Sequence, residues 1–420
     1  MKFKNNYMSL VWLFSACTFT FSVIINDGHD YGSGLVVLMS LGLFFLKPDF
    51  KLIDKEDCLF IFSFLVYAFS MYFAVFMDIG GEIRDIDKPT RFIFALFALL
   101  LLLTISNRKE WLWYGAISCS FLSFLVAAYQ RFFIGLSRAE GETNPIMFGN
   151  INMLMGFICL ISSIYFFSQR KPFSLILSLI GAVSGISASL LSGSRGGWVA
   201  LPLIMIFLFW QCKDLLSNRV LKISVSSFIL VLCVIIAIPQ TGVQNRIGKA
   251  VYNVSEYIQG NSKTSVGLRF EMWEAAIHMF QDSPIFGVGA SQSEAFKDEL
   301  AENGIIHPAA VPYITAHNDM LEALSKRGLI GLAFLIMIYI IPLHLFLKKL
   351  RLYKENWRVR SYALAGALIP MCYFDFGLTV AMINYKEGVM VYAFSLVYFW
   401  AAVRWSEREE QIVGMKEERP

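Results

Sequence analysis

Apolar residues fall along this chain in long unbroken runs, without the alternation of half-buried strands. Twelve runs stand out, at roughly 8–25, 33–47, 58–77, 91–106, 111–130, 149–169, 172–192, 197–212, 220–239, 328–347, 361–380 and 387–404. A helix needs about 20 mostly apolar residues to cross a bilayer. The second, fourth and eighth runs are short, so they must extend into their loops or pack against neighbours. Continuous runs call for helices, because a barrel strand would alternate. The pattern predicts an all-α polytopic membrane protein with about twelve transmembrane helices. Helices one to nine occupy 1–239, a large loop fills 240–327, helices ten to twelve occupy 328–404, and a charged tail closes the chain at 405–420.

Charge sets the expected orientation. With the N-terminus inside, Lys and Arg in the cytoplasmic segments outnumber those in the short outer loops by about three to one. That predicts both termini inside and the 240–327 loop outside, in the periplasm. Composition agrees: 56% of residues are hydrophobic and 16% charged, against about 25% charged in a soluble globule. A soluble enzyme, a disordered scaffold and a nucleic-acid binder are excluded. The formal charge of +4 decides nothing. The seven cysteines form no CxxC pair, which predicts neither a disulfide framework nor a zinc site. The first run lacks a small-x-small cleavage site, so it reads as a span.

The 240–327 loop is the outlier, and a loop of that length usually carries function. Within it Leu268, Met272, Ala275, Ala276 and Met279 share one face of an amphipathic helix. Such a helix either lies at the membrane interface, roofing a cavity, or packs as a cap without chemistry. Asp282-Ser283-Pro284 ends it, and Phe286-Gly287-Val288-Gly289 makes a turn. Next comes His317-Asn318, followed nine residues later by Gly328-Leu329-Ile330-Gly331. The two glycines predict close helix–helix approach. An imidazole near the outer membrane surface suits a general base for a water-borne hydroxyl; a structural His is the competing reading. Asp319 and Glu322 either orient His317 or pair with Lys326.

Several arginines fall on the side where positive charge is disfavoured. Arg195 stands in the short turn Ser194-Arg195-Gly196-Gly197-Trp198, and Arg269 opens the amphipathic helix. Arg84, Lys88 and Arg91 precede the fourth span, and Arg138 precedes the sixth. A guanidinium fork suits phosphate, since it donates two parallel hydrogen bonds and stays charged. A lipid-linked pyrophosphate would account for such a set; phospholipid headgroups are the plainer partner. Asp375, late in span eleven, is an intramembrane acid and so a supporting candidate. No Gly-x4-Gly-Lys-Ser/Thr loop predicts ATP use, and no acidic pair or His spacing predicts a metal.

These segments resemble the O-antigen ligase family of Gram-negative inner membranes, within a superfamily that also holds O-antigen polymerases and O-linked protein oligosaccharyltransferases. His317-Asn318-x9-Gly328-x2-Gly331 is similar to the ligase signature. Ser194 to Trp198 is similar to the family's arginine turn, and Arg269 to Gly289, with Trp273, Ala276 and Pro284, to its loop pattern. The resemblance spans residues 190 to 331; ahead of it the match is in hydropathy alone. It implies a membrane-embedded glycosyltransferase of the GT-C type, with no cofactor and no metal. The implied donor is O-antigen on undecaprenyl pyrophosphate, and the implied acceptor is a sugar hydroxyl of lipid A–core oligosaccharide. His317 would be the catalytic base. Arg195 and Arg269 would bind the donor pyrophosphate, with Asn318, Lys326, Arg91, Arg84 and Asp375 as possible support. Alternatives within the superfamily are the polymerase and the protein oligosaccharyltransferase. A lipid-linked glycan transporter is more distant, because the polar groups gather at one face.

Overall fold

The computed structural model describes residues 2–45, 50–78, 83–104, 109–194, 196–198, 201–220, a few between 222 and 229, and 243–417. The described residues are helical, with no strand. Among the described residues, six helices are long and apolar enough to cross a membrane: Lys55–Met77, Trp111–Phe133, Pro145–Ser168, Pro172–Ser192, Asp319–Leu352 and Lys386–Ile412. The chain is a multi-pass membrane protein in its helical make-up. The ninth expected span, 220–239, lies almost wholly outside the described residues.

The chain divides into two compact units. The first comprises Met1–Met77, Glu82–Val199 and Leu332–Pro420. Its helices are α1 (Lys2–Phe21), α2 (Gly28–Ser40), α3 (Lys55–Met77), α4 (Asp87–Thr104), α5 (Trp111–Ala128), α6 (Pro145–Ser168) and α7 (Pro172–Ser192). The second comprises Asp78–Gly81 and Ala200–Gly331. It holds α8 (Leu201–Cys212), α9 (Val243–Ile258), α10 (Gly267–Asp282) and α11 (Ser293–Glu302), together with the start of α12 (Asp319–Leu352). From Leu332 onward α12 belongs to the first unit, with α13 (Trp357–Gly377) and α14 (Lys386–Glu417).

Small residues and aromatic rings build the first unit. α6 and α7 meet along Gly156, Ala182 and Gly185; a side chain at Gly185 would run into the Asn152 carbonyl and the Gly156 backbone. Van der Waals packing of this kind replaces the hydrophobic effect where the surroundings are already apolar. Trp113 stacks on Tyr362 at 4.8 Å, and Tyr165 joins them at 5.5 Å. α13 is buried on nearly every face, Arg360 and Asp375 included, while Arg358 near its start is exposed. The second expected span, 33–47, is displaced: α2 begins at Gly28 and ends at Ser40, because His29, Gly32, Ser33 and Val36 form its buried face. Polar residues there read in sequence as a loop.

Candidate functional site

The second unit is organised around the segment 311–318. Three helices reach it with side chains. Lys297, on α11 and only 6% exposed, donates from Nζ to Val311 O at 2.8 Å and Tyr313 O at 2.7 Å. Lys326, on α12, donates to Ile314 O at 2.8 Å. Trp273, on α10, donates from Nε1 to Ala316 O at 3.0 Å. The Ala316 N–H donates to Glu322 Oε2 at 2.7 Å, while Oε1 of the same carboxylate holds Lys326 Nζ at 2.7 Å. Ala316 is buried, and both of its backbone groups find a partner, as burial requires. Of the two roles expected for Glu322, the structure shows the Lys326 pair together with a bond to the residue before His317. These groups enclose a cavity of about 20 Å³, lined by Met272, Ala276, Lys297, Tyr313, Glu322 and Lys326, with room for one water.

His317 sits at the end of this segment in a left-handed backbone conformation, φ 50°. That costs a non-glycine residue roughly 1–2 kcal/mol, and it persists because both sides are held. On the far side Asn318 caps α12, its Oδ1 accepting from Met320 N at 2.9 Å and Leu321 N at 3.1 Å. The imidazole is half-buried, edge-to-face with Tyr313 at 6.1 Å. Its Nδ1 is enclosed without a hydrogen-bond partner. Burial, then the neighbouring Arg269 charge, push its pKa below the ordinary histidine value, and Glu322 pulls against them. Of the expected arginines, Arg269 is the one whose charge acts on His317.

The two expected glycines do a different job from helix–helix approach. Gly328 breaks α12 at φ 63°, ψ −161°. The break frees the N–H groups of Leu329 and Ile330, which donate to Pro284 O at 2.8 Å and Ile285 O at 3.4 Å. Val288 N and Gly289 N donate in turn to Ser325 O and Lys326 O. The expected turn at 286–289 is therefore laid along the helix break, and a side chain at Gly328 would overlap the Ile285 backbone. At Gly331 a side chain would meet Arg327. The apolar stripe of α10 is also spent inside the unit: Met272, Ala275, Ala276 and Met279 are buried, and Ala275 and Met279 pack with Leu300 and Ile306. It does not face lipid as an interfacial helix would.

The remaining candidates lie in the first unit. Arg195 falls outside the described residues, as does the side chain of Arg84. The turn around Arg195 is built on a polar floor: Ser194 Oγ donates to Asn150 Oδ1 at 3.1 Å, and side chains at Gly196 or Gly197 would strike Thr379 or Asn150. Sequence reasoning missed Asn150, because a polar residue in mid-helix shows its use only through its partner. Arg91 is engaged, with Nη1 on Asp30 Oδ1 at 2.6 Å and Nε on Asp87 Oδ2 at 2.9 Å. Asp375 is 4% exposed on α13. Among the described residues Asp27, His29 and Asp30 gather donor atoms within 4.8 Å of one another. The Arg91 guanidinium already claims the Asp30 carboxylate there.

Residues 180–336 match the O-antigen ligase family. Over 380 residues the chain is 26% identical to an uncharacterized protein of Haemophilus influenzae, covering 90% of this chain and 94% of that one. It is 27% identical over 270 residues to an O-antigen ligase of Escherichia coli, covering 61% of this chain and 62% of that protein. Both the domain match and the Escherichia coli relative support the O-antigen ligase family. The family match contains the arginine turn, Arg269, His317 and Gly331, and leaves Arg91 and Asp375 outside it. The matched stretch supports a function of the ligase or polymerase type.

Proposed function

We propose that this protein is an O-antigen ligase of the inner membrane, acting on the periplasmic face. It transfers O-antigen polysaccharide en bloc from undecaprenyl pyrophosphate to a sugar hydroxyl of lipid A–core, without nucleotide or metal. The observation that carries this reading is His317 itself: a half-buried imidazole on a strained backbone, its basicity lowered by burial and by the Arg269 charge, inside the stretch that matches the family. The acceptor oxygen attacks the anomeric carbon, and its proton passes to the imidazole. With Nδ1 enclosed, Nε2 is the nitrogen that takes it. The bond from the anomeric carbon to the diphosphate oxygen breaks, and the electron pair leaves on undecaprenyl pyrophosphate. Attack opposite the leaving group inverts the anomeric centre. Arg195 and Arg269 hold the diphosphate and stabilise the charge growing on it. Asn318 and Lys326 support the site through the backbone they hold. Arg84, Arg91 and Asp375 are assigned no more than a supporting part. The twelve-helix GT-C plan, with 240–327 as the outer loop, belongs to the same proposal.

A general base contributes about 10²–10⁴-fold. Purified protein, lipid-linked glycan and rough lipopolysaccharide in detergent, with EDTA present and no nucleotide, should give a ladder of glycan-bearing lipopolysaccharide on a gel. His317→Ala should lose that ladder while still inserting and purifying as a single species. A normal ladder from this variant would remove the base from the mechanism. Elongation of the lipid-linked glycan with no transfer to lipid A–core would make the protein a polymerase.

A further inference from the structure

Ala316 is held by both of its backbone groups. Its carbonyl belongs to the peptide plane that carries the His317 nitrogen, and Trp273 Nε1–H fixes that plane at 3.0 Å. Its N–H belongs to the plane before, and Glu322 fixes that one at 2.7 Å. On the other side of His317, the Asn318 side chain caps α12 and ties the next residue to the first turn of that helix. The torsions of a residue are set by the planes on either side of it, so an unfavourable φ of 50° survives only where those planes cannot turn. Glu322 is 3% exposed and is braced by Lys326, so its carboxylate is a fixed point.

We propose that Trp273 and Glu322 are positioning residues for His317, clamping Ala316 from two different helices so that the imidazole stays aimed at the acceptor hydroxyl. The inference rests on the reading of His317 as the base. Neither residue touches substrate; each acts through the backbone. A catalytic group displaced by about 1 Å can cost on the order of 100-fold in rate, so the clamp should show in kcat and leave binding alone.

Two conservative variants test it in the detergent assay. Trp273→Phe keeps an aromatic ring against Phe270 while removing the indole N–H and one of its two fused rings. It should lower kcat by roughly ten- to a hundred-fold, with KM for donor and acceptor within about twofold of the parent. Glu322→Gln keeps an oxygen for the Ala316 N–H and removes the negative charge. The charged groups acting on the imidazole are Arg269 and Glu322, and Tyr313 packs on its ring. Loss of Glu322's charge should therefore shift the acid limb of the kcat–pH profile to lower pH, a readout that a purely structural role would not move. Parental kcat and parental acid limb in both variants, with His317→Ala inactive, would sink the clamp and leave the base standing. An active His317→Ala would instead sink the base reading. A rise in KM matching the loss in kcat would place the two residues in substrate binding and overturn the proposal. Failure of both variants to fold would make them folding elements, which overturns it too.

Discussion

A histidine that must accept a proton at neutral pH has to be neutral there, and His317 meets that condition through two opposed neighbours. Burial and Arg269 lower its pKa, while Glu322 raises it. The sign follows directly. The neutral form is complete above the lowered pKa, so transfer should be level near pH 7 and fall as pH drops through that pKa, below the ordinary histidine range. Arg269→Gln removes one of the lowering influences, so the acid limb of its residual activity should move to higher pH. A limb unmoved by this change would mean that Arg269 does not act on His317. At this scale the sequence was only partly legible. His317, Arg269, Asn318 and Lys326 stood out by residue type and spacing. Trp273 stood out only as part of a loop pattern, without a role, and Lys297 not at all, because their partners, Ala316 O and the carbonyls of Val311 and Tyr313, lie 43, 14 and 16 residues away. A donor's role is defined by the acceptor that tertiary packing delivers to it.

At the scale of elements, α12 shows why a motif can be recognised before its mechanics are understood. The spacing from His317 to Gly328 and Gly331 was plain, and it suggested helix packing. The structure instead uses Gly328 to interrupt a helix and dock the 284–289 turn on the exposed backbone. Gly328→Ala would face both the left-handed φ and the Ile285 backbone. It should destabilise this region by about 1–3 kcal/mol and open the 284–289 segment, seen as faster proteolytic cleavage there. Cleavage at the parental rate would show that the break does not need glycine. α10 was foreseen with its stripe and its stop at Asp282, but its buried face is internal to the unit. α9 went unpredicted, although Val243, Ile247, Val251, Val254 and Ile258 follow helical spacing. Its apolar residues are spread thinly among polar ones, so no hydrophobic run draws the eye; Val251 and Ile258 remain exposed.

For the molecule as a whole, the hydrophobic runs gave the helical class, and the charges at the run ends hid a second layer of structure. The start of α3, the end of α12 and the late part of α14 share one network of ions. Asp57, fully buried on α3, takes Arg404 Nε at 3.1 Å and Trp400 Nε1–H at 2.8 Å. Lys349 of α12 meets Glu407 of α14 at 2.6 Å and also pairs with Glu56. In sequence Lys349 and Arg404 read only as votes for orientation and their acidic partners went unremarked, because a positive-inside count assigns Lys and Arg to a side and says nothing of partners. Their burial changes what removing one would do. An exposed pair contributes little, but taking away one member of a buried set strands the rest, at about 3–5 kcal/mol. Arg404→Ala should therefore lower the detergent Tm sharply, and Arg404→Ala combined with Asp57→Asn should recover part of the loss, since the stranded carboxylate is then neutral. A single variant that melts with the parent would mean that the network is screened by water and contributes nothing. A double variant no better than the single would mean that Arg404 acts through its pairs with Glu407 or Asp54, and that Trp400 and the Asp54 N–H hold Asp57 without it.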